Sequence, residues 1–166
     1  YSLSCWYGDR ASDGGAYYDG GYHKLTADLL KIWYDKRFNY RIRARGQLAS
    51  RALDGSEQFF LGGINGVRAY ANGDYYGDSA YTATGEIRYN LGVPGLELAA
   101  FIDVGAAKDL YADDIYHLAG WGLGLRYSKQ NDWYAQFDFA RKINGLPDRD
   151  GGDDDYRLWF QVYKMF

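Results

Sequence analysis

Few residues in this chain have types and spacings that could support catalysis or metal binding. The single cysteine, Cys5, has no other metal-ligating residues near it in the sequence at a suitable spacing. We interpret it as a small strand side chain. His23 and His117 are distant in the sequence and are interpreted as rim residues rather than metal ligands. The run 153–155 consists of aspartates; carboxylates suit calcium, but a solvated loop end is the simpler interpretation. The sequence contains no nucleophile–base set or phosphate-binding loop, so we expect no enzymatic activity, no metal and no cofactor.

The charged residues with a regular spacing are mostly arginines. Arg41, Arg43 and Arg45 alternate with apolar residues, and Glu86 and Arg88 do the same further along the chain. A period of two places the charges on one face of a strand and the apolar residues on the other. Such a basic face could be solvated in a soluble β-sandwich, or it could line the water-filled lumen of a membrane β-barrel. Aromatic residues near the ends of the apolar faces favour the barrel, because aromatic girdles lie at membrane interfaces.

The composition favours strands and argues against two classes of protein, helical membrane proteins and nucleic-acid binders. Of the 166 residues 19% are aromatic, and glycine outnumbers proline by 22 to 2, a mixture that suits pleated strands joined by turns. The mean hydropathy is −0.50 and no apolar run approaches the roughly 18 residues of a membrane helix, which excludes a helical membrane protein. A net charge of −3 gives no indication of nucleic-acid binding. The residues that open the chain lack the features of a signal peptide, so either a signal has been removed or the chain is cut from a longer protein.

Alternating hydrophobicity predicts a single all-β domain, 1–166, of eight antiparallel strands. Their length suits a tilted membrane strand of about 9–11 residues. Short connections (35–37, 92–95 and 129–132) alternate with long loops (10–20, 51–78, 108–115 and 143–154), as is typical of outer-membrane barrels, and an even strand number puts both chain ends on the short-turn, periplasmic side. The predicted strands are 2–9, 21–34, 38–50, 79–91, 96–107, 116–128, 133–142 and 155–166.

Two of the predicted strands carry a lysine on the apolar face. In the second strand Lys31 follows Leu29 on the same face, and we predict a bulge near Leu29 and Leu30 that restores the alternation. In the last strand Lys164 lies on the face of Phe166, where a lysine near a rim could extend its ammonium group to water.

The end of the last strand carries a targeting pattern. The chain ends in Phe166, and Val162 and Phe160 share its face. An amphipathic last strand with a terminal aromatic residue is similar to the assembly signal of bacterial outer-membrane barrels. The resemblance implies that the barrel-assembly machinery recognises this strand and that the protein lies in the bacterial outer membrane, with membrane lipid and lipopolysaccharide against its apolar face.

A second resemblance rests on a loop motif and a strand motif. Gly62-Gly63 is followed by Val67-Arg68-Ala69-Tyr70, and Phe101-Ile102-Asp103-Val104-Gly105 lies on a later strand. This combination resembles the haemolysin-activator type of two-partner secretion transporter, within the wider outer-membrane assembly and translocation superfamily. In that family the loop folds back into the barrel, and its arginine meets the aspartate of the strand motif.

The resemblance implies a role for each motif residue. The loop plug or gate would consist of Gly62, Gly63, Val67, Arg68, Ala69 and Tyr70. The wall would receive the loop at Asp103, flanked by Phe101 and Gly105. The lumen would be lined by Arg41, Arg43, Arg45, Glu86, Arg88 and Arg126. The alternative is an independent surface Arg68 and a lumen-facing Asp103. Ala69 stands where the family usually has a second glycine, which predicts strain in the loop if this position requires a positive φ.

The strand number raises the question of what completes the wall. The resemblance implies a barrel of about sixteen strands preceded by periplasmic recognition domains, whereas this chain supplies eight strands and none of those domains. The loop 51–78 is too large for the interior of a closed eight-strand barrel, which side chains fill. Three arrangements follow: a homodimer paired edge to edge into one barrel, a fragment of a larger transporter, or a small monomeric barrel with the loop outside. We favour the homodimer, because one self-complementary seam removes both open edges.

The expected function is an outer-membrane pore for polypeptide translocation or secretion, with the loop as plug or gate and a secreted polypeptide as substrate. Because the family's recognition domains are missing from this sequence, two alternatives stay open. One is a factor that inserts barrels or lipid into the outer membrane. The other is a structural or adhesive barrel without transport activity.

Overall fold

The computed structural model describes residues 2–8, 21–129, 132–143, 146–147 and 154–164. Over these ranges no helix is long and apolar enough to cross a membrane. The strands are β1 (Ser2–Gly8), β2 (Tyr22–Asp35), β3 (Phe38–Ala49), β4 (Phe59–Phe60), β5 (Tyr76–Gly77), β6 (Ser79–Asn90), β7 (Leu96–Lys108), β8 (Ile115–Ser128), β9 (Trp133–Lys142) and β10 (Tyr156–Lys164).

Eight of these strands form one antiparallel sheet, in the order β1-β2-β3-β6-β7-β8-β9-β10. They are the eight predicted strands, and their ends lie within one residue of the predicted positions, except that β10 is described only to Lys164 whereas the prediction ran to residue 166. The prediction of an all-β antiparallel sheet is therefore confirmed. β1 and β10 are its two edges, so closure of a barrel and a second copy stay predictions. The two-residue strands β4 and β5 pair separately within the long loop and were not predicted.

The predicted alternation of short and long connections is found where the structure describes them. The short turns after β2, β6 and β8 all lie at one end of the sheet, because consecutive strands are antiparallel. In the first, Lys36 has a φ of 53°, the left-handed conformation that tight hairpins require. In the second, Gly95 has a φ of 78°, and a Cβ there would lie 2.0 Å from the carbonyl oxygen of Ser128. Only glycine meets both conditions.

The predicted bulge in β2 is wrong. The pairing of β2 with β3 runs without interruption from Lys24 to Asp35. Lys31 therefore stays on the apolar face, with its ammonium group 5.8 Å from the centroid of the Trp33 ring. An aromatic neighbour and a position near the end of the sheet make this lysine tolerable, since its head can reach water while its stem covers apolar surface.

The two faces of the sheet differ sharply in exposure. In β7, Ile102 is 51% exposed and the adjacent Asp103 is 1% exposed; in β8, Leu123 is 48% exposed and Arg126 is 1% exposed. We call the face that carries Asp103 and Arg126 the inner face and the opposite one the outer face. A soluble sheet buries its apolar face against a second layer, whereas an exposed one indicates contact with a membrane or a partner. Large apolar side chains exposed on the outer face include Leu29, Ile42, Leu48, Leu98, Ile102, Trp121, Leu123, Leu125, Phe137, Leu158 and Phe160.

Aromatic residues cluster on the outer face at the short-turn end. Trp33 stacks on Tyr40 with ring centroids 5.5 Å apart, and Phe38 lies 5.2 Å from Tyr89. Lys164 places its ammonium group 5.2 Å from the ring centroid of Trp133. This arrangement is the one expected of an aromatic girdle at a membrane interface.

The buried apolar cluster lies between the long loop and the inner face. A single sheet has no second layer of its own. The long loop acts as the second layer here, because it packs on the inner face of β6 to β9. The consequence is that the loop owes its conformation to contacts with the wall as well as to its own backbone. The cluster consists of Leu61, Val67, Ala69, Tyr70, Tyr75, Ala80, Phe101, Ala107, Leu118 and Ala140.

Candidate functional site

The part of the long loop that carries the sequence motif is residues 61–70, which we call the loop tip. Its backbone bonds to itself and to the residues that follow: the Val67 amide donates to the Leu61 carbonyl at 2.8 Å, and the Gly62 amide donates to the Asp74 carbonyl at 2.9 Å. A Cβ at Gly62 would lie 2.3 Å from the Ala71 carbonyl oxygen. Gly63 has a φ of 113°, which side chains other than hydrogen rarely permit. The glycine pair is thus a requirement of the backbone fold of the tip.

The base of the long loop is fixed at Asp78, which is fully buried at the start of β6. Its carboxylate accepts hydrogen bonds from the Leu53 amide at 2.7 Å, the Leu110 amide at 2.7 Å and the Gln58 side-chain amide at 3.2 Å. One carboxylate therefore joins the start of the long loop to the loop between β7 and β8. Charge-assisted hydrogen bonds of this kind are the stronger class.

Arg68 lies against Asp103 on the inner face. Its Nε and one terminal nitrogen donate to the two Asp103 carboxylate oxygens at 2.8 and 2.9 Å, a bidentate pair. The Arg68 backbone amide donates to the same carboxylate at 3.1 Å. Thr84 on β6 donates a further hydrogen bond to Asp103 at 2.8 Å. Arg68 is 4% exposed and Asp103 1%, so water is largely excluded from this contact.

Two further carboxylates surround the Arg68 guanidinium. Glu86 on β6 lies 2.9 Å from it and Asp138 on β9 lies 3.3 Å from it. Burial by itself lowers the pKa of Arg68, but the hydrogen bonds to Asp103 and the charges of all three carboxylates outweigh burial and hold that pKa above its ordinary value. The loop tip is thereby tied to three strands, β6, β7 and β9.

Arg126 and Arg88 balance the charge of this cluster. Arg126 contacts Asp138 at 2.6 Å and Glu86 at 3.2 Å. Arg88 contacts Glu86 at 2.6 Å and Glu97 at 3.5 Å. Glu86 therefore forms ion pairs with three guanidinium groups, those of Arg68, Arg88 and Arg126. A buried ionic network of this kind is costly to break, because removing one member leaves charge unpaired in a poorly solvated site.

The flanking residues of the strand motif also meet the loop tip. The Arg68 guanidinium lies 3.2 Å from the ring centroid of Phe101, a cation–π contact. The Phe101 ring in turn covers Gly122 on β8, where a Cβ would lie 2.3 Å from it. A Cβ at Gly105 would lie 3.2 Å from the side chain of Val67. Phe101, Asp103 and Gly105 thus each contact part of the tip or shape the space for it.

Ala69 shows none of the strain that a required positive φ would cause. Within the described chain the non-glycine residues with positive φ are Lys36, Tyr75 and Asp113, so Ala69 is not among them. Its methyl group is fully buried and faces Gly120 of β8, where an added Cβ would come within 2.6 Å of the Ala69 Cβ. The position accepts alanine because the opposing wall residue has no side chain.

The edge strand β10 also contacts the loop tip. Trp159 on β10 donates a hydrogen bond from its indole nitrogen to the Arg68 carbonyl oxygen at 2.7 Å. Tyr70 is fully buried, with its ring perpendicular to that of Tyr75 at 6.0 Å and the Lys142 ammonium 4.9 Å from its centroid. Residues at both ends of the Val67–Tyr70 motif are therefore in contact with the wall.

The remaining predicted lumen residues lie on β3. Arg43 forms an exposed ion pair with Asp28 of β2. The Arg45 guanidinium lies 5.3 Å from the ring centroid of Phe59. Arg41 is half-buried and, in the part of the chain that the structure describes, has no carboxylate within ion-pairing distance.

Other residues singled out in the sequence lie away from this cluster. His23 packs against Tyr7 with ring centroids 5.2 Å apart. Phe160 and Val162 are 71% and 44% exposed on the outer face. Phe166 and Asp153 lie outside the described residues.

The alternation of residues correctly placed Asp138 and Arg126 on the inner face, but it did not predict that they belong to the ionic cluster around Arg68. Nothing in the sequence predicted the hydrogen bond from Trp159 to the loop tip. The glycines of β8 were also missed, although their spacing (120, 122 and 124) is visible in the sequence. All three face inward, and a Cβ at Gly124 would lie 2.0 Å from the carboxylate of Asp138. A glycine at every second position of a strand is therefore the signal for a wall that must accommodate bulky groups from elsewhere.

Comparison with known proteins agrees with the motif and the fold. A heme/hemopexin transporter protein, HuxB, from Haemophilus influenzae (strain 86-028NP) is 25% identical over 142 residues, which are 79% of this chain and 25% of that protein. The solved structure of CdiB from Acinetobacter baumannii superposes with a TM-score of 0.59 at 24% identity, covering 86% of this chain and 27% of that one. The chain thus spans about a quarter of the length of either protein. The model of the family described as haemolysin secretion/activation protein ShlB/FhaC/HecB matches residues 6–127, and the chain therefore belongs to this family.

Proposed function

We propose that the chain forms part of the wall of an outer-membrane pore for polypeptide secretion, and that residues 62–70 act as its plug. Family membership supports the secretion role. The contrast between an exposed apolar outer face and a charged inner face supports a membrane wall around a polar passage. The observation that carries the plug assignment is the bidentate contact between Arg68 and Asp103.

The geometry of this contact suits a plug that can be released. The tip is held by hydrogen bonds and ion pairs between side chains and by apolar packing against the inner face, and no strand of the main sheet pairs with it. Release of the tip would therefore break side-chain contacts but no backbone ladder of the main sheet. The role of the outer-face residues in this proposal is contact with lipid and lipopolysaccharide, and that of β10 is recognition by the barrel-assembly machinery.

A second copy of the chain is our proposal for completing the wall. β1 and β10 are the sheet edges, and unpaired edges within a membrane leave backbone groups without partners. A two-fold dimer removes both edges with one kind of seam. Native mass measurement in detergent micelles should give a dimer; a monomer that keeps all its β-structure would contradict this, and a longer natural chain would assign the missing strands to the same polypeptide.

Single-channel recording in planar bilayers tests the plug. Arg68→Ala should raise the open probability or conductance, because the tip loses its contacts with Asp103, Glu86 and Asp138. Arg37→Ala is the matched control, since Arg37 lies in a short turn and its side chain donates a hydrogen bond to the exposed Tyr89 hydroxyl, away from the loop tip. Equal current traces for Arg68→Ala and the parent protein would contradict the plug. A channel that stays closed in both variants would favour a structural or adhesive barrel.

A further inference from the structure

A cavity of about 230 Å³ lies between the loop tip and the inner face. Residues 64–66 of the tip form one side of it, and strands β2, β3, β6, β8 and β9 form the other. Its lining is unusual in being rich in one kind of charge. The guanidinium-bearing residues that line it are Arg41, Arg43, Arg68, Arg88 and Arg126.

The carboxylates around this cavity are already engaged. Glu86 is the one carboxylate among its lining residues, and it is shared by Arg68, Arg88 and Arg126. Arg43 is paired with Asp28 on its other side. The carboxylates of the described chain therefore form ion pairs with the other arginines, and none of them forms one with Arg41.

Arg41 is consequently a half-buried cation that, in the described structure, forms no ion pair with a carboxylate. It pairs in the sheet register with Glu86, but both oxygens of that carboxylate accept from other arginines. A second donor is also left over, because the Nε of Arg126 is buried and has no acceptor among the described residues. Polar groups withdrawn from water without partners cost free energy, and an anion that supplied acceptors would remove that cost.

We propose that this cavity is a binding site for an oxyanion, a carboxylate or a phosphate group, held chiefly by Arg41. A guanidinium presents two parallel N–H groups that match the two oxygens of such an anion. The cavity volume, about 230 Å³, is several times the ~30 Å³ that one water occupies in the liquid, so a small oxyanion fits. The anion would come from an acidic side chain of a polypeptide or from free phosphate.

Equilibrium binding to the full chain in detergent micelles tests the site without requiring an open pore. Inorganic phosphate is titrated at constant ionic strength and followed by calorimetry. The parent protein should bind phosphate, and Arg41→Gln should bind it at least tenfold more weakly. Arg37→Gln removes the same charge from an exposed turn and should bind as the parent does. Far-UV circular dichroism establishes that each variant keeps its β-structure.

Two peptides distinguish the sources of the anion. A blocked pentapeptide with one glutamate and its glutamine counterpart are titrated in the same way. Selective binding of the glutamate peptide assigns the site to side-chain carboxylates, and binding of phosphate alone assigns it to a free oxyanion. If Arg41→Gln fails to fold, Arg41→Lys replaces it and should bind more weakly than the parent, since an ammonium cannot form the paired contact. The site is overturned if the parent binds neither probe, or if the Arg41 variant and the Arg37 control bind equally well.

Discussion

The methyl group of Ala69 on the loop tip faces the backbone of Gly120 on the wall, at a distance that leaves no room for a second methyl group. Gly120→Ala should therefore displace the tip, because the new Cβ would come within 2.6 Å of the Ala69 Cβ. Overpacking of this size costs about 1–3 kcal/mol of unfolding free energy. Urea unfolding from detergent micelles measures it. Ala69→Gly in the same chain should restore most of the loss, and a double variant as unstable as Gly120→Ala alone would refute the contact.

The ion pair between Arg68 and Asp103 should have a large coupling energy. A double-mutant cycle with Arg68→Ala and Asp103→Ala compares the two single variants with the double variant. Each single variant should lose about 3–5 kcal/mol of unfolding free energy, because a buried charge is left unpaired. The double variant should lose much less than the sum of the two.

The Arg43–Asp28 pair on the same face offers a matched control for that cycle. Its side chains are 45% and 35% exposed, and exposed pairs contribute about 0–1 kcal/mol. A coupling energy for Arg68 and Asp103 no larger than that of the control pair would show that the tip is not held by charge.

Trp159→Phe should loosen the loop tip without removing an aromatic ring from β10. The substitution deletes the indole donor and leaves the Arg68 carbonyl oxygen without the 2.7 Å hydrogen bond. An unsatisfied acceptor of this kind costs about 1–3 kcal/mol. Hydrogen–deuterium exchange should become faster at residues 61–70, whereas Trp121→Phe on the outer face should leave it unchanged. Equal exchange in both variants would count against Trp159 as a support of the tip.

Asp78→Asn should destabilise two loops at once. The asparagine keeps one acceptor oxygen, but its NH₂ group faces either the Leu53 amide or the Leu110 amide, both of which donate to Asp78. We expect a loss of about 1–3 kcal/mol, with faster exchange in both loops. Asp113→Asn, in the same region but with its side chain largely exposed, is the control. Faster exchange in only one of the two loops would contradict the joining role of Asp78.

Strand positions and faces could be predicted from the sequence because alternation reports them directly. Ile102 and Asp103 are adjacent, and a period of two assigns them to opposite faces whatever the rest of the chain does. The predicted bulge in β2 was wrong because it assumed that a lysine cannot lie on the apolar face of a strand. Lys31 violates the alternation, but a lysine beside Trp33 near a membrane interface satisfies its charge without a change of register.

The contacts of the loop tip could be predicted only where a family motif named them. The motif directed attention to Arg68 and Asp103, which lie together. Asp138 and Trp159 are 70 and 91 positions away from Arg68 in the sequence, and no local pattern connects residues so far apart. The strands β4 and β5 have two residues each, too few to show a period.

The hydrogen bond from Trp159 also has a consequence for the order of folding. Its donor lies on β10, the last strand of the sheet in sequence as well as in space, and contacts of such sequence separation form late. The loop tip is synthesised long before that strand, yet it lacks this partner until β10 has paired with β9. The last support of the tip therefore forms only when the sheet is completed, and a chain stalled before its last strand would hold the tip by its contacts with β6, β7 and β9 alone.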